Sequence, residues 1–230
     1  MSPLPSRSDA ELKLALPKGS LMADIAGLME SRGFIVPGYD EKSRVYRLRS
    51  EEPSGVFVKV FSEKDIPIQV AVGNYDVGIA GRDWIEELTA GFRFIDIVSV
   101  AEMGYRHETL FAAGAPGKTL EDIRADRRGE FIRIVSEYPN LAERFAREQR
   151  FPRYRVFPVW GAAHAYIPHS ADIAVVRVPS ENGDGEAEVE KLGLMPLARI
   201  MPSVATLIAN RTSFEKKDLS LILGRFTEGR

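Results

Sequence analysis

Hydrophobic positions along the chain follow two recurring patterns, short continuous runs and segments with helical spacing. The run LKLAL at residues 12–16 has the length of a buried strand, and apolar residues on one helical stripe follow it between Leu21 and Met29. Ser20 and Gly33 are predicted to begin and end this helix. Further strand-like runs, most of them separated by helical segments, lie at residues 75–81, 94–100, 108–114, 131–137, 154–159 and 171–178. This alternation predicts an α/β fold with crossover helices.

A hairpin and a short helix interrupt the alternation in the first half of the chain. The stretches RVYRLR and GVFVKVF alternate polar and apolar side chains around the turn SEEPSG. The stretch DIPIQVAVG then predicts a short helix with Asp65 as its cap and Pro67 in its first turn. Another short helix is predicted in WGAAHAYIPH. Near the end, LGLMPLARIM and SVATLIAN predict two strands, and a last helix is predicted near residues 214–226.

Hairpins and helices mix in both halves of the chain, which predicts two α/β lobes rather than one continuous sheet. We expect the first lobe at residues 12–100 with 195–230, the second at 101–194, and a disordered N-terminus at 1–11. The cleft between two such lobes is the expected ligand site.

Composition removes several classes of protein. The 230 residues are 44% hydrophobic, which is enough for a core, and the net charge of −2 gives no basic field for nucleic acid or an anionic membrane. No apolar run approaches the ~20 residues that span a bilayer, and the start lacks a secretory signal core, so we expect a cytoplasmic protein. The chain has no cysteine, and its three histidines lack ligand spacing, so no protein-held metal is expected.

Lys18 and Gly19, in the stretch LPKGS, are the first candidates for a binding site. They lie between a predicted strand and a predicted helix start, where free amide groups and the helix dipole favour an anion. A lysine beside these amides would strengthen binding of a phosphate. The alternative is a tight turn with a solvated lysine.

Two further stretches contain candidate binding residues. The first, GNYDVGIAGRDW, places glycines around an acid, where they would allow a ligand close to the backbone or merely serve the loop geometry. Its candidates are Gly73, Asp76, Gly78 and Gly81. The second, SEYPN, ends a strand and opens a helix, and its alternative interpretation is a helix cap with proline in the first turn. Ser136 and Asn140 are its hydrogen-bonding groups, and Tyr138 offers a possible stacking face.

Together these stretches resemble ATP phosphoribosyltransferase, the first enzyme of histidine biosynthesis, in its short form. The resemblance rests on LKLALPKGSLMADIAGLMESRGF, KDIPIQVAVGNYDVGIAGRDWIEE, RIVSEYPNLAERFAREQ, WGAAHAYIPHSADIAVV and SVATLIANR, which follow in the family's order across most of residues 12–211. It implies a two-lobed, type II periplasmic-binding-protein-like fold without a C-terminal regulatory domain. The implied reaction joins N1 of ATP to C1 of phosphoribosyl pyrophosphate, with Mg²⁺ on the pyrophosphate. A homo-oligomer and a synthetase-like regulatory subunit are the implied partners.

The resemblance also implies roles for individual residues. Lys18 and Gly19 would face phosphates, the region 73–81 would line the cleft, and the region 136–140 would form its other wall. In the family, two acids on the strand equivalent to 171–178 hold the ribose hydroxyls, and a Thr-Gly-x-Thr-Leu loop binds the 5-phosphate. Here the first acid is Asp172, and the groups that would replace the loop are Ser180, Asn182, Gly183 and the neighbouring amides.

The chain departs from the family at this phosphate loop. The second acid is replaced by Val176, and the stretch VPSENGDGEAEVEKLG carries five acids and one base. Carboxylates near a phosphate dianion repel it by roughly a few kcal/mol at an effective dielectric of about 20. The phosphate site is therefore expected to be damaged or rebuilt. Two alternatives to this transferase are a non-catalytic, two-lobed binding or regulatory protein and a transferase with another donor or acceptor.

Overall fold

The computed structural model describes residues 11–92, 94–180 and 184–227. The strands are β1 (Leu12–Pro17), β2 (Arg47–Arg49), β3 (Val56–Phe61), β4 (Val77–Gly81), β5 (Ile97–Glu102), β6 (Glu108–Gly114), β7 (Ile132–Ser136), β8 (Tyr154–Pro158), β9 (Ile173–Pro179), β10 (Met195–Ser203) and β11 (Ala205–Asn210). The α-helices are α1 (Met22–Ser31), α2 (Ile66–Ala71), α3 (Arg82–Gly91), α4 (Leu120–Asp126), α5 (Pro139–Glu148), α6 (Glu186–Lys191), α7 (Arg211–Lys216) and α8 (Ser220–Thr227). The α/β prediction is confirmed.

The first of two compact units is built on a six-stranded sheet. It comprises the described residues up to Trp84, those from Phe94 to Tyr105 and those from Ala205 onward. Its strand order is β2-β3-β1-β4-β11-β5, with β1 parallel to both β3 and β4. The carboxyl ends of these three strands therefore lie at one edge of the sheet. Apolar residues of β1, β3 and the α1 stripe form the buried core.

The second unit is built on a five-stranded sheet. It comprises the described residues between Ile85 and Phe92 and between Arg106 and Val204. Its strand order is β10-β6-β9-β7-β8, with β7 parallel to β8 and β9. The carboxyl ends of β7, β8 and β9 thus share an edge, while β6 runs antiparallel to β9.

The structure places one strand in a different sheet from the one that the sequence predicted. Residues 195–203 were expected in the first lobe, but β10 pairs with β6 from Met195↔Gly114 to Ser203↔Glu108, in the second sheet. The apolar pattern of a strand does not contain the identity of its partner, so tertiary structure decides this pairing.

Several local predictions also change. The helix expected in WGAAHAYIPH is only a 3₁₀ turn, Ala163–Tyr166, and α1 has Leu21 rather than Ser20 at its N-cap. Asp65 makes no side-chain capping bond to α2, because a 3₁₀ turn leads into that helix. The helix expected near 214–226 is divided into α7 and α8, and part of the acidic stretch forms α6. No helix in the described ranges has the length and apolar character needed to cross a membrane.

Candidate functional site

Lys18 and Gly19 border a cavity in the first unit, at the carboxyl end of β1. Gly19 adopts a φ of +84°, a conformation that favours glycine, and its carbonyl accepts a hydrogen bond from the Met22 amide at 2.9 Å. The Lys18 ammonium lies over the ring of Tyr46, 5.7 Å from its centroid. The cavity has a volume of about 270 Å³ and is lined by Lys18, Gly19, Met22, Glu41, Ser43, Val45, Tyr46 and Val60. The lysine is exposed, but it belongs to a shaped recess rather than to an isolated turn.

Asp76 is buried and fully engaged within the first unit. Only 2% of the residue is exposed. Its carboxylate accepts hydrogen bonds from the Lys13 amide at 2.9 Å, the Ser213 hydroxyl at 2.6 Å and the Lys217 ammonium at 2.7 Å. These contacts join the start of β4 to β1 and to the region of α7. The sequence suggested that Asp76 contacts a ligand, whereas the structure makes it an internal tie.

The glycines around Asp76 serve packing and turns. A Cβ at Gly78 would lie 2.7 Å from Ile66 Cγ2 and 2.9 Å from Val70 Cγ2, so α2 packs directly onto this position. Gly73 has a φ of +74° at the turn after α2. The amide of Gly81 donates to Glu63 Oε1 at 2.8 Å, which places a carboxylate at the end of β4. These contacts favour the alternative interpretation, in which the glycines serve packing and loop geometry rather than a ligand.

In the second unit, internal hydrogen bonds hold the segment at 136–140. The Ser136 hydroxyl accepts from the Tyr138 amide at 2.8 Å, and Tyr138 is 2% exposed, so its ring presents no stacking face to solvent. The carboxylate of Glu87 accepts from the backbone amides of Asn140 and Leu141, each at 2.9 Å. An acid from α3 therefore caps the first turn of α5.

Glu87 was not a candidate in the sequence, where it is one glutamate of a polar helix. Burial raises the pKa of its carboxyl, partly opposed by hydrogen bonds from the amides of Asn140 and Leu141. The Asn140 side chain also donates to the Glu87 carbonyl at 3.1 Å. Local sequence patterns do not indicate this pairing, because the two residues are 53 positions apart.

Asp172 lies just before β9, at the opposite end of that strand from Ser180. Its carboxylate accepts from Arg127 Nη2 at 2.7 Å, from Arg133 Nη2 at 2.9 Å and from the Arg133 amide at 2.8 Å. Burial acts to raise its pKa, but the hydrogen bonds from Arg133 and Arg127 outweigh burial and lower it. The acid that the resemblance assigned to ribose is thus an anchor between two arginines.

The carboxyl end of β9 shows what replaces the family's pattern. Val176 is 6% exposed and belongs to an apolar cluster with Phe111 and Val189. Ser180 is 3% exposed, and its buried hydroxyl has no hydrogen-bond partner among the residues that the structure describes. The other predicted loop residues, Asn182 and Gly183, lie outside the described residues.

Two arginines lie near this strand end and were not candidates in the sequence. Arg106 Nη2 is 2.7 Å from Glu108 Oε1, and Arg177 Nε is 3.4 Å from Glu108 Oε2. The two guanidinium groups therefore share the Glu108 carboxylate. Within the ranges that the structure describes, no three carboxylate or imidazole side chains are placed to share a metal ion.

The structure therefore brings some predicted residues together and separates others. Lys18 and Gly19 share the cavity at the edge where β1, β3 and β4 end. Ser136 ends β7 opposite Val175, whereas Ser180 follows the end of β9, five residues further along that strand. Asp172 lies at the opposite end of β9.

Sequence comparisons with known proteins identify one family. The family profile described as HisG, ATP phosphoribosyltransferase, matches residues 62–228. The ATP phosphoribosyltransferase of Moorella thermoacetica is 28% identical over 212 residues, covering 88% of this chain and 85% of the relative. That of Thermodesulfovibrio yellowstonii is 27% identical over 230 residues, covering 94% and 72%. The solved ATP phosphoribosyl transferase (HisG:HisZ) complex from Thermotoga maritima matches with a TM-score of 0.74 at 20% identity, covering 94% of this chain and 97% of that one. This match confirms the predicted two-lobed, type II periplasmic-binding-protein-like fold class.

Proposed function

The chain belongs to the ATP phosphoribosyltransferase family, and from this premise we propose how its own residues hold the two substrates. As a glycosyltransferase of histidine biosynthesis, it transfers the phosphoribosyl group of phosphoribosyl pyrophosphate to N1 of ATP. The observation that carries this function is the family match over residues 62–228, which spans β4 to β11.

ATP is proposed to place its phosphates at Lys18 and Gly19. An ammonium group and a left-handed glycine turn border the recess at the end of β1, and both are common features of phosphate sites. The role of Lys18 is to attract and orient the phosphates, which leaves N1 of the base as the reacting atom. Asp76, Gly78 and Asn140 would support the sheets and helices around the substrates, because their own contacts are internal.

Phosphoribosyl pyrophosphate is proposed to bind at the edge of the second sheet where β7 and β9 end. The Ser180 hydroxyl supports this placement, because it is buried and finds no hydrogen-bond partner within the described ranges, and a ligand could supply one. Arg106 and Arg177 lie near the end of β9, and guanidinium groups are suited to bind phosphate oxygens.

The reaction forms a bond from N1 of the adenine to C1 of the ribose and breaks the bond from C1 to the pyrophosphate oxygen. The electron pair of the broken bond leaves with pyrophosphate, so the site must stabilise negative charge. We propose that Mg²⁺ would be held chiefly by oxygens of the substrate pyrophosphate and by water, and would offset part of the negative charge on the leaving group. Lys18 would stabilise phosphate charge on the acceptor side.

The partners and the location follow the family. The matched Thermotoga maritima structure is a HisG:HisZ complex, and we propose that this chain likewise forms a homo-oligomer that binds a synthetase-like regulatory subunit. We also propose that it works in the cytoplasm, where ATP and amino-acid precursors are available.

Calorimetry with phosphoribosyl pyrophosphate and Mg²⁺ tests the donor site. We expect heat from binding of the donor, and formation of the N1-linked product when ATP is added. No heat up to millimolar donor, with ATP still binding, would overturn the transferase and leave a nucleotide-binding protein.

Charge removal tests whether the acidic stretch opposes the donor. The double variant Glu181→Thr with Asp184→Thr should lower the Kd for phosphoribosyl pyrophosphate, because it removes two negative charges. The matched control, Glu186→Thr with Glu190→Thr, removes two exposed acids from α6. Equal Kd values for both double variants and the unaltered chain would show that the stretch lies away from the donor.

A further inference from the structure

The cavity beside Lys18 has a second wall, contributed by the segment that leads into β2. That wall carries Glu41, Ser43, Val45 and Tyr46. The predicted phosphate contacts use only the Lys18 side of the recess. The chemistry of the second wall is therefore unassigned.

Hydrogen bonds fix this segment against the end of β1. The buried hydroxyl of Tyr39 donates to the Pro17 carbonyl at 2.8 Å, immediately before Lys18. The carboxylate of Asp40 then accepts from the amides of Lys42 and Ser43, each at 2.9 Å. This turn holds Glu41 in a defined place on the rim.

Tyr46 is fixed through its backbone while its side chain stays accessible. Its carbonyl accepts from the Val60 amide at 2.9 Å, which ties it to β3. Half of the residue is exposed, at 50%. The Lys18 ammonium covers one face of the ring. An accessible aromatic ring beside a cation is a typical platform for a planar base attached to phosphates.

The size and lining of the cavity limit what it can hold. Sites for complete drug-sized ligands have volumes of roughly 300–1,000 Å³. The volume here is about 270 Å³, with Met22 and Val60 as apolar lining and Glu41 and Ser43 as polar groups. Such a recess suits one planar ring system whose phosphates lie at the lysine. The Glu41 carboxylate disfavours a second phosphate group on its side of the rim.

We propose that this cavity binds the adenine base of ATP, with the ring of Tyr46 stacking on the base and the carboxylate of Glu41 accepting a hydrogen bond from the exocyclic amino group. The proposal rests on the proposed function, since it places one of the two substrates. A carboxylate is an acceptor only, so it selects the amino group of adenine over the carbonyl oxygen of guanine or hypoxanthine. Tyr46 and Glu41 would thus determine the specificity for the acceptor substrate.

Binding measurements with two nucleotides test the proposal. The probes are ATP and purine riboside triphosphate, which retains N1 but lacks the amino group. Tyr46→Leu should weaken both nucleotides by roughly 5- to 100-fold, the range that stacking of a base on an aromatic ring supplies. Tyr46→Phe keeps the ring and should stay within about 3-fold of the unaltered chain. The Kd for phosphoribosyl pyrophosphate should change in neither variant.

Glu41→Ala provides the second arm. The unaltered chain should prefer ATP over purine riboside triphosphate by roughly 10-fold, the worth of one hydrogen bond to a charged group, and Glu41→Ala should abolish that preference. Matched controls are Tyr105→Leu and Glu51→Ala, which change the same residue types on exposed parts of the first unit outside the cavity. Circular dichroism verifies that each variant is folded.

Several outcomes would overturn the proposal. If Tyr46→Leu and Glu41→Ala bind ATP as the controls do, the base lies elsewhere while the transferase stands. If the two variants weaken the donor instead of ATP, the cavity holds the sugar phosphate. If the unaltered chain binds no ATP, both the base site and the proposed function fail.

Discussion

Replacement of Asp76 by asparagine separates a structural role for this residue from a ligand-binding role. The carboxylate accepts three hydrogen bonds, from the Lys13 amide, the Ser213 hydroxyl and the Lys217 ammonium. Asparagine has nearly the same shape but only one acceptor oxygen and no charge. In Asp76→Asn, the remaining oxygen can still accept the hydrogen bond from the Lys13 amide. The new NH₂ group then faces the Ser213 hydroxyl and the Lys217 ammonium, which are both donors.

The expected loss follows from these contacts. Removing one partner of a buried ion pair costs roughly 3–5 kcal/mol, and single hydrogen bonds to charged groups contribute roughly 1.5–3 kcal/mol. The side chain of Lys217 is 37% exposed, so water can solvate its ammonium once the carboxylate is gone. We therefore expect the free energy of unfolding to fall by about 2–4 kcal/mol. With a urea m-value of about 2–3 kcal/mol/M, the midpoint should fall by about 1 M.

Urea unfolding followed by circular dichroism provides the measurement, with Lys217→Met as the matched partner variant. Lys217→Met alone should also destabilise, because it leaves the Asp76 charge buried without its cation. The free energy of unfolding of the double variant should fall by less than the sum of the two single decreases, because neither charge of the pair is then left without its partner. If Asp76→Asn keeps its urea midpoint and instead raises KM for a substrate, Asp76 binds ligand, and the structural role inferred from its three hydrogen bonds is wrong.

Three further variants test neighbouring conclusions. Glu87→Gln removes a carboxyl whose pKa is raised by burial, so the unaltered chain should lose stability relative to the variant as pH rises through that pKa. Urea midpoints from pH 4 to 8 that run parallel would contradict this. Gly78→Ala should cost about 1–3 kcal/mol, because its Cβ would lie 2.7 Å from Ile66, and an unchanged Tm would show that α2 yields. Val176→Asp restores the family's acid but places it in an apolar cluster. We therefore expect urea unfolding to show a free energy of unfolding lower by roughly several kcal/mol, and calorimetry to show no tighter donor binding. Improved donor binding would show that position 176 reaches the ligand.

Secondary structure was largely predictable because it depends on neighbours in sequence. The apolar run at 108–114 became β6 over the same residues, and the glycine after the first helical stripe ends α1. Predictions of helix ends were less accurate, because they depend on the conformation of the residues that flank the helix. At Asp65, a 3₁₀ turn replaced the expected cap. The acidic stretch was interpreted as a loop, although its glutamates and one lysine favour a helix, and residues 186–191 form α6.

Candidate site residues were predicted by type and position, and their accessibility was not. Lys18 and Gly19 do border a cavity, whose other wall comes from Glu41 and Tyr46, residues that carry no motif. Tyr138 follows a strand, as a stacking residue would, yet it is buried. A residue's type gives its chemistry, but its exposure depends on what packs against it.

By itself the sequence determined the order of strands and helices, the α/β class and membership of the ATP phosphoribosyltransferase family. These properties reside in local periodicity and in motifs that are continuous along the chain. The tertiary structure alone decided that β10 joins the second sheet, that Glu87 caps α5 and that Asp76 is held by Ser213, 137 positions away. The physical reason is that a buried strand edge, amide or carboxylate must find a partner, and which partner is near depends on how distant segments pack.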